Sequence, residues 1–373
     1  MRRAALLAPV LAAFATGVFA AEVRAPEYLV QTVVTGLHHP WSLAFLPDGD
    51  MLVSEKYGGI RRVHDGRLVA APLAGAPEHM LQDGDSGLLD IALDPDFERN
   101  GRLYISFTEG TFEANHVALY RARLAGDSLV DGRVIFRQQP DKRRNAHAGG
   151  RIAFLADGTL LMTVSDGYDY RNEAQNLMTD FGSVVRLTRD GGVPSDNPFV
   201  GRADARPEIY TYGHRNPLGL LRDPRDDSVW LHENGPMGGD EINHLKPGAN
   251  YGWPKTTFGI DYSGEQISKM QYAEGVVDPV VVWVPSIAPS GFALYLGDRF
   301  PQWKGDFFVG ALAERSIRRV RIVGEKWTEQ QILLRELDAR IRDVRAGPDG
   351  YLYALTDADP GALLRIVPAP AGN

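Results

Sequence analysis

One phrase recurs six times along this chain and constrains its fold more than any other feature. Each copy has an apolar strand, a turn built on Asp, Gly or Pro, and a second strand of alternating character. The copies begin at Pro40, Ser86, Gly149, Asn216, Pro289 and Arg340. They are spaced roughly 45 to 75 residues apart, a period typical of propeller blades with about four strands each. The repeat therefore predicts an all-β fold, a six-bladed β-propeller with about four antiparallel strands per blade.

A β-hairpin with a "PDG" turn can recur by chance, which is the simpler interpretation of any single copy. Six copies distributed over nearly the whole chain beyond its first 21 residues make chance a poor explanation. We expect one propeller domain over residues 22–373, with helices confined to loops.

The first 21 residues form a separate segment. Arg2 and Arg3 precede an apolar run that ends in small residues at Ala20 and Ala21. This layout predicts a secretory signal peptide over residues 1–21, with a retained membrane anchor as the alternative. A cleaved signal would leave a periplasmic protein with no membrane span.

Composition limits the classes of partner and the kinds of site that this chain can have. The net charge is −8 and the basic residues form no long run, which argues against nucleic acid as a partner. The chain has no cysteine, so disulfides, thiolate metal sites and cysteine nucleophiles are excluded.

The start of the third copy, "NAHAGGR", holds a candidate general base. His147 precedes two glycines that would let a ligand approach the backbone closely. An imidazole titrates near neutral pH and suits proton transfer, although a single histidine is more often structural.

The fourth copy starts with "TYGHRNPLGL", where three polar residues are adjacent. Arg215 offers a planar set of donors and Asn216 an amide, groups suited to polarising a carbonyl or binding an anionic oxygen. His214 is interpreted as their supporting residue. The alternative is a surface turn whose arginine pairs with an acid.

The stretch "ENGPMGGDEINHLKPGANYGWP" is typical of a calcium-binding loop. Carbonyls around Gly235 and Pro236 could face a cation, and Asp240 and Glu241 carry the hard oxygens that Ca²⁺ prefers. The acidic spacing of an EF-hand is absent, and a plain glycine-rich turn is the alternative.

The sixth copy opens with two arginines in "ARIRDV". Arg340 and Arg342 are two apart on a predicted strand and therefore point the same way. Because two guanidinium groups on one face repel each other, an anion or carboxylate is expected between them. Before the fifth copy, "WVPSIAPSG" indicates a stiff loop at the edge of a pocket. Together these motifs predict a central site for an anionic cofactor and a hydroxylated substrate.

The motifs "GHRNP", "GGDEIN", "NYGWP", "PSIAPSG" and "RIRDV" also carry a resemblance to a known family. From about Gly36 to Val367 the chain resembles the soluble pyrroloquinoline quinone (PQQ)-dependent aldose sugar dehydrogenases of the glucose/sorbosone dehydrogenase family. The resemblance implies PQQ and Ca²⁺ as cofactors at the mouth of the propeller channel and a sugar as the substrate.

The resemblance also implies roles for individual residues. His147 would take the proton of the sugar C1 hydroxyl while hydride passes to the quinone, and Arg215 with Asn216 would polarise the quinone oxygen. The remaining matches comprise a Ca²⁺ held by the carbonyls of Gly235 and Pro236, a further Ca²⁺ at Glu241 and Tyr251, and cofactor contacts from Tyr262, Ala311, Leu312, Ala313, Arg340 and Arg342.

Three positions depart from the family pattern. Asp85 in "GDSG" stands where relatives often have glutamine, and Gln82 could substitute only if its loop is shifted. Ala313 stands where some relatives carry a lysine that reaches PQQ, with Arg315 nearby. Ala146 replaces an aspartate before the base, which leaves Asp166 as the carboxylate to orient His147.

Two other functions remain as alternatives: a Ca²⁺-dependent lactonase, which would need an acidic cage around a central metal, and a non-catalytic binding propeller. The sequence names no electron acceptor, for which a quinone or a cytochrome is possible. It is compatible with a monomer or a homodimer.

Overall fold

A computed structural model describes residues 27–370 as 24 β-strands with very little helix. The strands are β1 (Tyr28–Leu37), β2 (Pro40–Phe45), β3 (Met51–Glu55), β4 (Gly59–His64), β5 (Arg67–Leu68), β6 (Leu88–Leu93), β7 (Arg102–Gly110), β8 (Asn115–Ala125), β9 (Ser128–Arg137), β10 (Gly149–Phe154), β11 (Leu160–Val164), β12 (Ser183–Leu187), β13 (Ile209–Tyr212), β14 (Pro217–Arg222), β15 (Val229–Glu233), β16 (Asp240–Leu245), β17 (Val281–Trp283), β18 (Pro289–Leu294), β19 (Phe307–Ala311), β20 (Ser316–Val323), β21 (Lys326–Leu333), β22 (Ile341–Ala346), β23 (Leu352–Thr356) and β24 (Gly361–Pro368). The helical elements lie between strands: α1 (Phe97–Asn100) and short 3₁₀ turns at Arg171–Gln175, Pro301–Trp303 and Arg335–Leu337.

These strands form six antiparallel sheets of four, arranged as a ring. Five blades are consecutive in the chain: β2–β5, β6–β9, β10–β13, β14–β17 and β18–β21. The sixth blade has the order β1-β24-β23-β22, so β1 from one end of the chain pairs with β24 from the other. This shared blade closes the ring and removes the exposed edge of an open sheet. The predicted six-bladed propeller is confirmed, and each sequence copy forms the two inner strands of a blade.

All six inner strands share one irregularity near the start. The pairing of each with the second strand of its blade shifts register between Pro40 and Ser42 in β2 and at the equivalent points of β6, β10, β14, β18 and β22. A β-bulge of this kind inserts an extra residue and changes where side chains point. It brings Trp41, Leu89, Leu218 and Arg342 to the lining of one central cavity.

The apolar cores lie between neighbouring blades. One cluster combines Tyr295, Trp303 and Phe308 of the fifth blade region with Ile341 and other residues of the sixth, and these four named side chains are fully buried. Packing of this kind between blades, at about 25 cal/mol for each Å² of apolar surface buried, stabilises the ring as a whole.

A buried ion-pair network holds the inner strands together on the axis. The guanidinium of Arg151 lies 3.0 Å from a carboxylate oxygen of Asp343 and 3.5 Å from one of Asp90, and all three side chains are almost fully buried. Arg151 also donates a 2.8 Å hydrogen bond to the carbonyl of Leu218 and lies 4.0 Å from the Trp41 ring. Charges buried this deeply persist only when they are paired. Because Asp90, Arg151, Leu218 and Asp343 belong to four different blades, their contacts join those blades beneath the cavity.

The described residues contain no helix with the length and apolar character needed to cross a bilayer. The predicted signal peptide lies outside them and stays a prediction.

Candidate active site

A polar cavity opens at the end of the axis where the inner strands begin. It encloses about 750 Å³ including its open mouth. Motifs predicted from three different blades meet there: His147 of the third, Arg215 and Asn216 of the fourth, and Arg340 and Arg342 of the sixth all line it. Asp85, Gly235, Tyr262 and Leu312 line it as well. Residues as far apart in sequence as Trp41 and Arg342 thus share one site, because both lie at the start of an inner strand.

His147 is held at the cavity wall by a buried carboxylate. Its backbone has a φ of +50°, and its Nδ1 lies 2.7 Å from Oδ1 of Asp166. The same oxygen accepts the backbone N–H of Tyr168, and Oδ2 accepts the indole N–H of Trp253 at 2.8 Å. The predicted pairing of Asp166 with His147 is therefore present.

The ionisation of Asp166 decides which imidazole nitrogen carries the proton. Burial acts to raise the pKa of Asp166, but the His147 ring, its hydrogen bond and Arg215 outweigh burial and hold that pKa below its usual range. An ionised carboxylate is only an acceptor, so Nδ1 of His147 donates to it. In the neutral imidazole the lone pair is then on Nε2, which is the form that a general base requires.

Arg215 is anchored to the loop around Gly235 that the sequence predicts to bind calcium. Its Nη1 donates to the carbonyls of Asn234 at 2.9 Å and Gly235 at 2.8 Å. Its guanidinium also lies 5.4 Å from the Trp253 ring and 5.9 Å from the Tyr262 ring. A guanidinium fixed on several sides keeps its remaining donors aimed in one direction, which favours binding of an oxygen in the cavity.

His214 does not reach the cavity. It is fully buried, and its Nδ1 lies 2.8 Å from Glu233 while its ring stacks on Tyr251 at 4.8 Å. The other carboxylate oxygen of Glu233 accepts the backbone N–H of Arg215 at 2.5 Å. His214 therefore supports the main chain that carries Arg215, as its supporting role predicted.

The two arginines of the sixth blade share one carboxylate. Both donate to Oδ2 of Asp357, Arg340 at 2.9 Å and Arg342 at 3.1 Å. Burial acts to raise the pKa of Asp357, while Arg342, Arg340 and Lys56 outweigh it and lower that pKa. The expected counter-charge between the arginines is thus supplied by the protein. One carboxylate against two guanidinium groups still leaves the wall positively charged.

Asp240 is not available as a calcium ligand, contrary to the prediction. Its Oδ1 accepts the backbone N–H of Gly235, and its Oδ2 accepts those of Ile287 and Ala288. Both oxygens also accept the hydroxyl of Ser286. Asp240 instead ties the glycine loop to the "PSIAPSG" loop, and burial raises its pKa to about 6.

The position proposed for a further Ca²⁺ is a small cavity beside Arg215. Glu233 and Glu241 both line it, and burial together with Glu233 raises the pKa of Glu241 well above its usual range. The phenol of Tyr251 donates to the His244 carbonyl and accepts from the Lys246 N–H, so only its main chain remains for a cation. Within residues 27–370, no three His, Asp or Glu side chains converge as metal ligands.

Three predicted cofactor contacts do not line the cavity. Gln82 is exposed on its loop, while Ala311 is fully buried in the core between blades. Ala313 is exposed, and Arg315 pairs with Asp338 at 2.9 Å. Pro236 is buried beside Gly235 but is not part of the lining either.

The sequence interpretation missed several residues of this site. Lys56 lines the cavity, Asp357 pairs with both arginines and Trp253 donates a hydrogen bond to Asp166. The signal that could have found Lys56 and Asp357 is their position directly after the second strand of a blade, close to the place that Asp166 occupies two residues after β11.

This protein is a β-propeller with a histidine–carboxylate pair and several cations around one axial cavity. Such a fold and site define an enzyme whose ligand contacts several blades at once. The family is shown by comparison: residues 37–365 match the Glucose / Sorbosone dehydrogenase family model, and this chain belongs to that family.

Relatives agree with this assignment over nearly the whole chain. The chain is 42% identical to aldose sugar dehydrogenase YliI of Escherichia coli K12 over 345 residues, covering 91% of this chain and 92% of the relative. The crystal structure of the apo-form of the E. coli aldose sugar dehydrogenase matches with a TM-score of 0.89 at 41% identity, covering 92% of this chain and 100% of that one. The PQQ-bound aldose sugar dehydrogenase of Streptomyces coelicolor matches with a TM-score of 0.73 at 29% identity, covering 92% and 99%.

Proposed function

We propose that this protein oxidises the C1 hydroxyl of aldose sugars to lactones with PQQ and Ca²⁺ as cofactors. The observation that carries the proposal is the His147–Asp166 pair, whose free Nε2 belongs to a cavity that Arg215, Arg340 and Arg342 also line. A base for a neutral alcohol and cations for a carboxylated cofactor thus share one cavity. The relatives named as aldose sugar dehydrogenases, one of them solved with PQQ, support the same activity.

The side chains of the cavity fit PQQ, which is a tricarboxylate. The arginines offer donors to carboxylates, and the amide oxygens of Asn216 and Asn234 are buried without a donor among residues 27–370. Buried acceptors rarely stay unpaired, so these two oxygens favour a ligand that brings a donor or a cation. When bound, PQQ would supply the two-electron oxidant that accepts hydride from C1 of the sugar.

The residues of this chain would perform the remaining steps. Nε2 of His147 takes the hydroxyl proton, and Asp166 stabilises the imidazolium that forms while keeping the ring oriented. Arg215, held by two carbonyls, stabilises negative charge that develops on an oxygen near it. Asn216 beside it adds an amide to the same wall.

Ca²⁺ would be held by the glycine loop. The carbonyl of Gly235 accepts from Arg215 but keeps a second lone pair, and the orphaned amide oxygen of Asn234 is its neighbour in sequence. Pro236 adds a further carbonyl to the loop. Glu241 beside Glu233 supplies carboxylate oxygens for a second cation, which such a pair favours.

Reconstitution tests the proposal. The apoprotein is incubated with PQQ and Ca²⁺, and sugar-dependent reduction of an artificial dye is followed for a panel of aldoses. We expect turnover that is lost in His147→Ala and kept in His38→Ala, since His38 is exposed and pairs only with Asp359 in the sixth blade. Absence of turnover with every aldose, or full turnover in His147→Ala, would overturn the proposal.

The two alternatives have distinct signatures in the same assay. A lactonase would hydrolyse lactones without added PQQ, whereas a binding propeller would show no spectral change on PQQ addition. The cavity is lined by cations, and this lining favours neither a lactonase nor a binding propeller.

We also propose that the protein is exported to the periplasm and passes its electrons to a quinone or a cytochrome. The signal-like segment of residues 1–21 supports export. Mass spectrometry of the protein from a periplasmic extract should show an N-terminus near Glu22, and a cytoplasmic protein that retains Met1 would contradict export.

A further inference from the structure

Lys56 is held rigidly at the junction of the first two blades. Its backbone N–H donates to the carbonyl of His39 and its own carbonyl accepts from Leu88, both within 3.0 Å. Gly87 packs so closely that a Cβ there would lie 2.2 Å from the Lys56 carbonyl. The backbone therefore cannot move aside, and the side chain enters the cavity with only 7% of the residue exposed.

The ammonium of Lys56 has no hydrogen-bond acceptor within residues 27–370. Its recorded contact is the ring of Tyr57, 4.9 Å from Nζ. Burial lowers the pKa of Lys56, and Arg342 and Arg340 lower it further, whereas Asp357 and Asp85 act in the opposite direction. An ammonium at a cavity wall with no acceptor from the protein is left to water or to a ligand, and an anionic ligand would compensate its partial burial best.

The other cations of the cavity are already bound. Arg340 and Arg342 donate to Asp357, and Arg215 donates to two carbonyls. Lys56 thus differs from all three in having its full donor capacity free. An ammonium carries three N–H donors and suits a carboxylate oxygen.

The fifth blade contributes no cation to this wall. Leu312 lines the cavity, Ala313 carries only a methyl group, and Arg315 is engaged with Asp338. In this part of the cavity wall, positive charge therefore comes from Lys56 of the first blade and from Arg340 and Arg342 of the sixth, and Lys56 is close enough to Arg342 to feel its charge.

We propose that Lys56 is a cofactor-positioning residue that binds a carboxylate of the anionic cofactor together with Arg342. The proposal rests on the proposed function, since it takes PQQ as that cofactor. Asp357 and Asp85 act to raise the pKa of Lys56, against burial and the two arginines, which lower it. A lysine that only neutralised Asp85 would instead leave cofactor binding unchanged when replaced.

Direct binding measures this role without relying on turnover. Apoprotein with saturating Ca²⁺ is titrated with PQQ while tryptophan fluorescence is followed, since Trp41 lines the cavity. We expect Lys56→Met to weaken binding roughly 10- to 100-fold, the loss typical of a hydrogen bond between charged groups. Lys56→Arg should retain most of the affinity, and Lys326→Met, a charge change at an exposed residue of β21, should bind as the wild type does.

The trimethyl ester of PQQ distinguishes a lost contact with the cofactor carboxylates from a change in the shape of the cavity. It lacks carboxylates, so Lys56→Met should bind it as well as the wild type does. Equal losses for PQQ and its ester would overturn the proposal, because they would mean that the substitution only reshapes the cavity. If wild type binds PQQ and Lys56→Met binds it equally, the proposal fails while the proposed function stands; if wild type does not bind PQQ, both fail.

Discussion

Nδ1 of His147 lies 2.7 Å from Oδ1 of Asp166, and this contact orients the only histidine that lines the axial cavity in the described residues. The contact joins a residue two positions before β10 to a residue two positions after β11, so it lies within one blade. The third partner, Trp253, comes from the connection between β16 and β17 in the next blade.

Asp166→Asn should cost more activity than the loss of one charge suggests. Three donors converge on its carboxylate, from His147, Tyr168 and Trp253, and an amide offers one acceptor oxygen and two competing N–H groups. We expect kcat to fall roughly 100-fold or more with little change in the PQQ dissociation constant. Trp253→Phe, which removes one donor, should lower kcat only about tenfold. Unchanged kcat in Asp166→Asn would exclude an orienting role.

Gly291→Ala tests the close approach of inner strands. Gly291 has a φ of +70°, and an added Cβ would lie 2.5 Å from Cα of Asp343 in the neighbouring blade. Because that contact is with backbone, the blades must move apart, and we expect a loss of more than about 3 kcal/mol in urea unfolding. Gly324→Ala is the matched control, with a φ of +62° and nothing within 4 Å; it should cost about 1 kcal/mol. Equal losses in the two variants would contradict the packing argument.

Asp357→Asn should destabilise the apoprotein by leaving Arg340 and Arg342 without a shared anion. We expect a loss of about 2 kcal/mol in thermal or urea unfolding, less than for a fully buried ion pair. Citrate, a polyvalent anion, should restore part of this loss by binding between the guanidinium groups. Asp359→Asn removes an exposed carboxylate that pairs with His38 and should change stability by less than about 0.5 kcal/mol. A stability equal to wild type in Asp357→Asn would show that the arginines need no counter-charge.

The raised pKa of Asp180 predicts that the free energy of unfolding depends on pH. Burial, followed by the nearby carboxylate of Glu208, raises the pKa of Asp180 to about 7, although Arg206 acts in the opposite direction. Between about pH 4, the ordinary pKa of an aspartate, and pH 7, the folded protein keeps a proton that the unfolded chain has released. The contribution of Asp180 to the free energy of unfolding therefore falls as pH rises through this window and is constant above it.

Urea unfolding of wild type and Asp180→Asn at pH 5, 6, 7 and 8 measures this contribution. The amide does not titrate, so the variant should lose less stability than wild type between pH 5 and pH 7, whatever its absolute stability. Asp204→Asn, at an exposed residue, should follow the wild-type pH dependence. Parallel curves for wild type and Asp180→Asn would contradict the raised pKa.

Much of the fold and part of the site could be predicted from the chain alone. The six copies each became the inner strands of a blade, because the alternation of apolar and polar residues and the turn residues act over a few neighbouring positions. The motifs at the starts of those copies met at one end of the axis for the same reason. His147, Arg215, Arg340 and Arg342 were found in this way.

What the sequence could not reveal depends on contacts between blades. Asp240 has the composition of a metal ligand, yet the loop before β18 brings three donors onto Oδ2. Gln82 and Ala313 lie near the right motifs but point outward or are exposed. Asp357 and Lys56 belong to no recognisable motif, and only their place directly after the second strand of a blade marks them.

The sequence by itself thus determined the propeller, its six blades and the end of the axis where the site lies, since these follow from local periodicity. Only the tertiary structure decided which charges are paired and which are free. Ring closure by β1 and β24, together with the bulges of the inner strands, sets distances between residues that are far apart in the chain, and the pairing of charges depends on those distances. For that reason the unpaired ammonium of Lys56 became visible only once the blades were assembled.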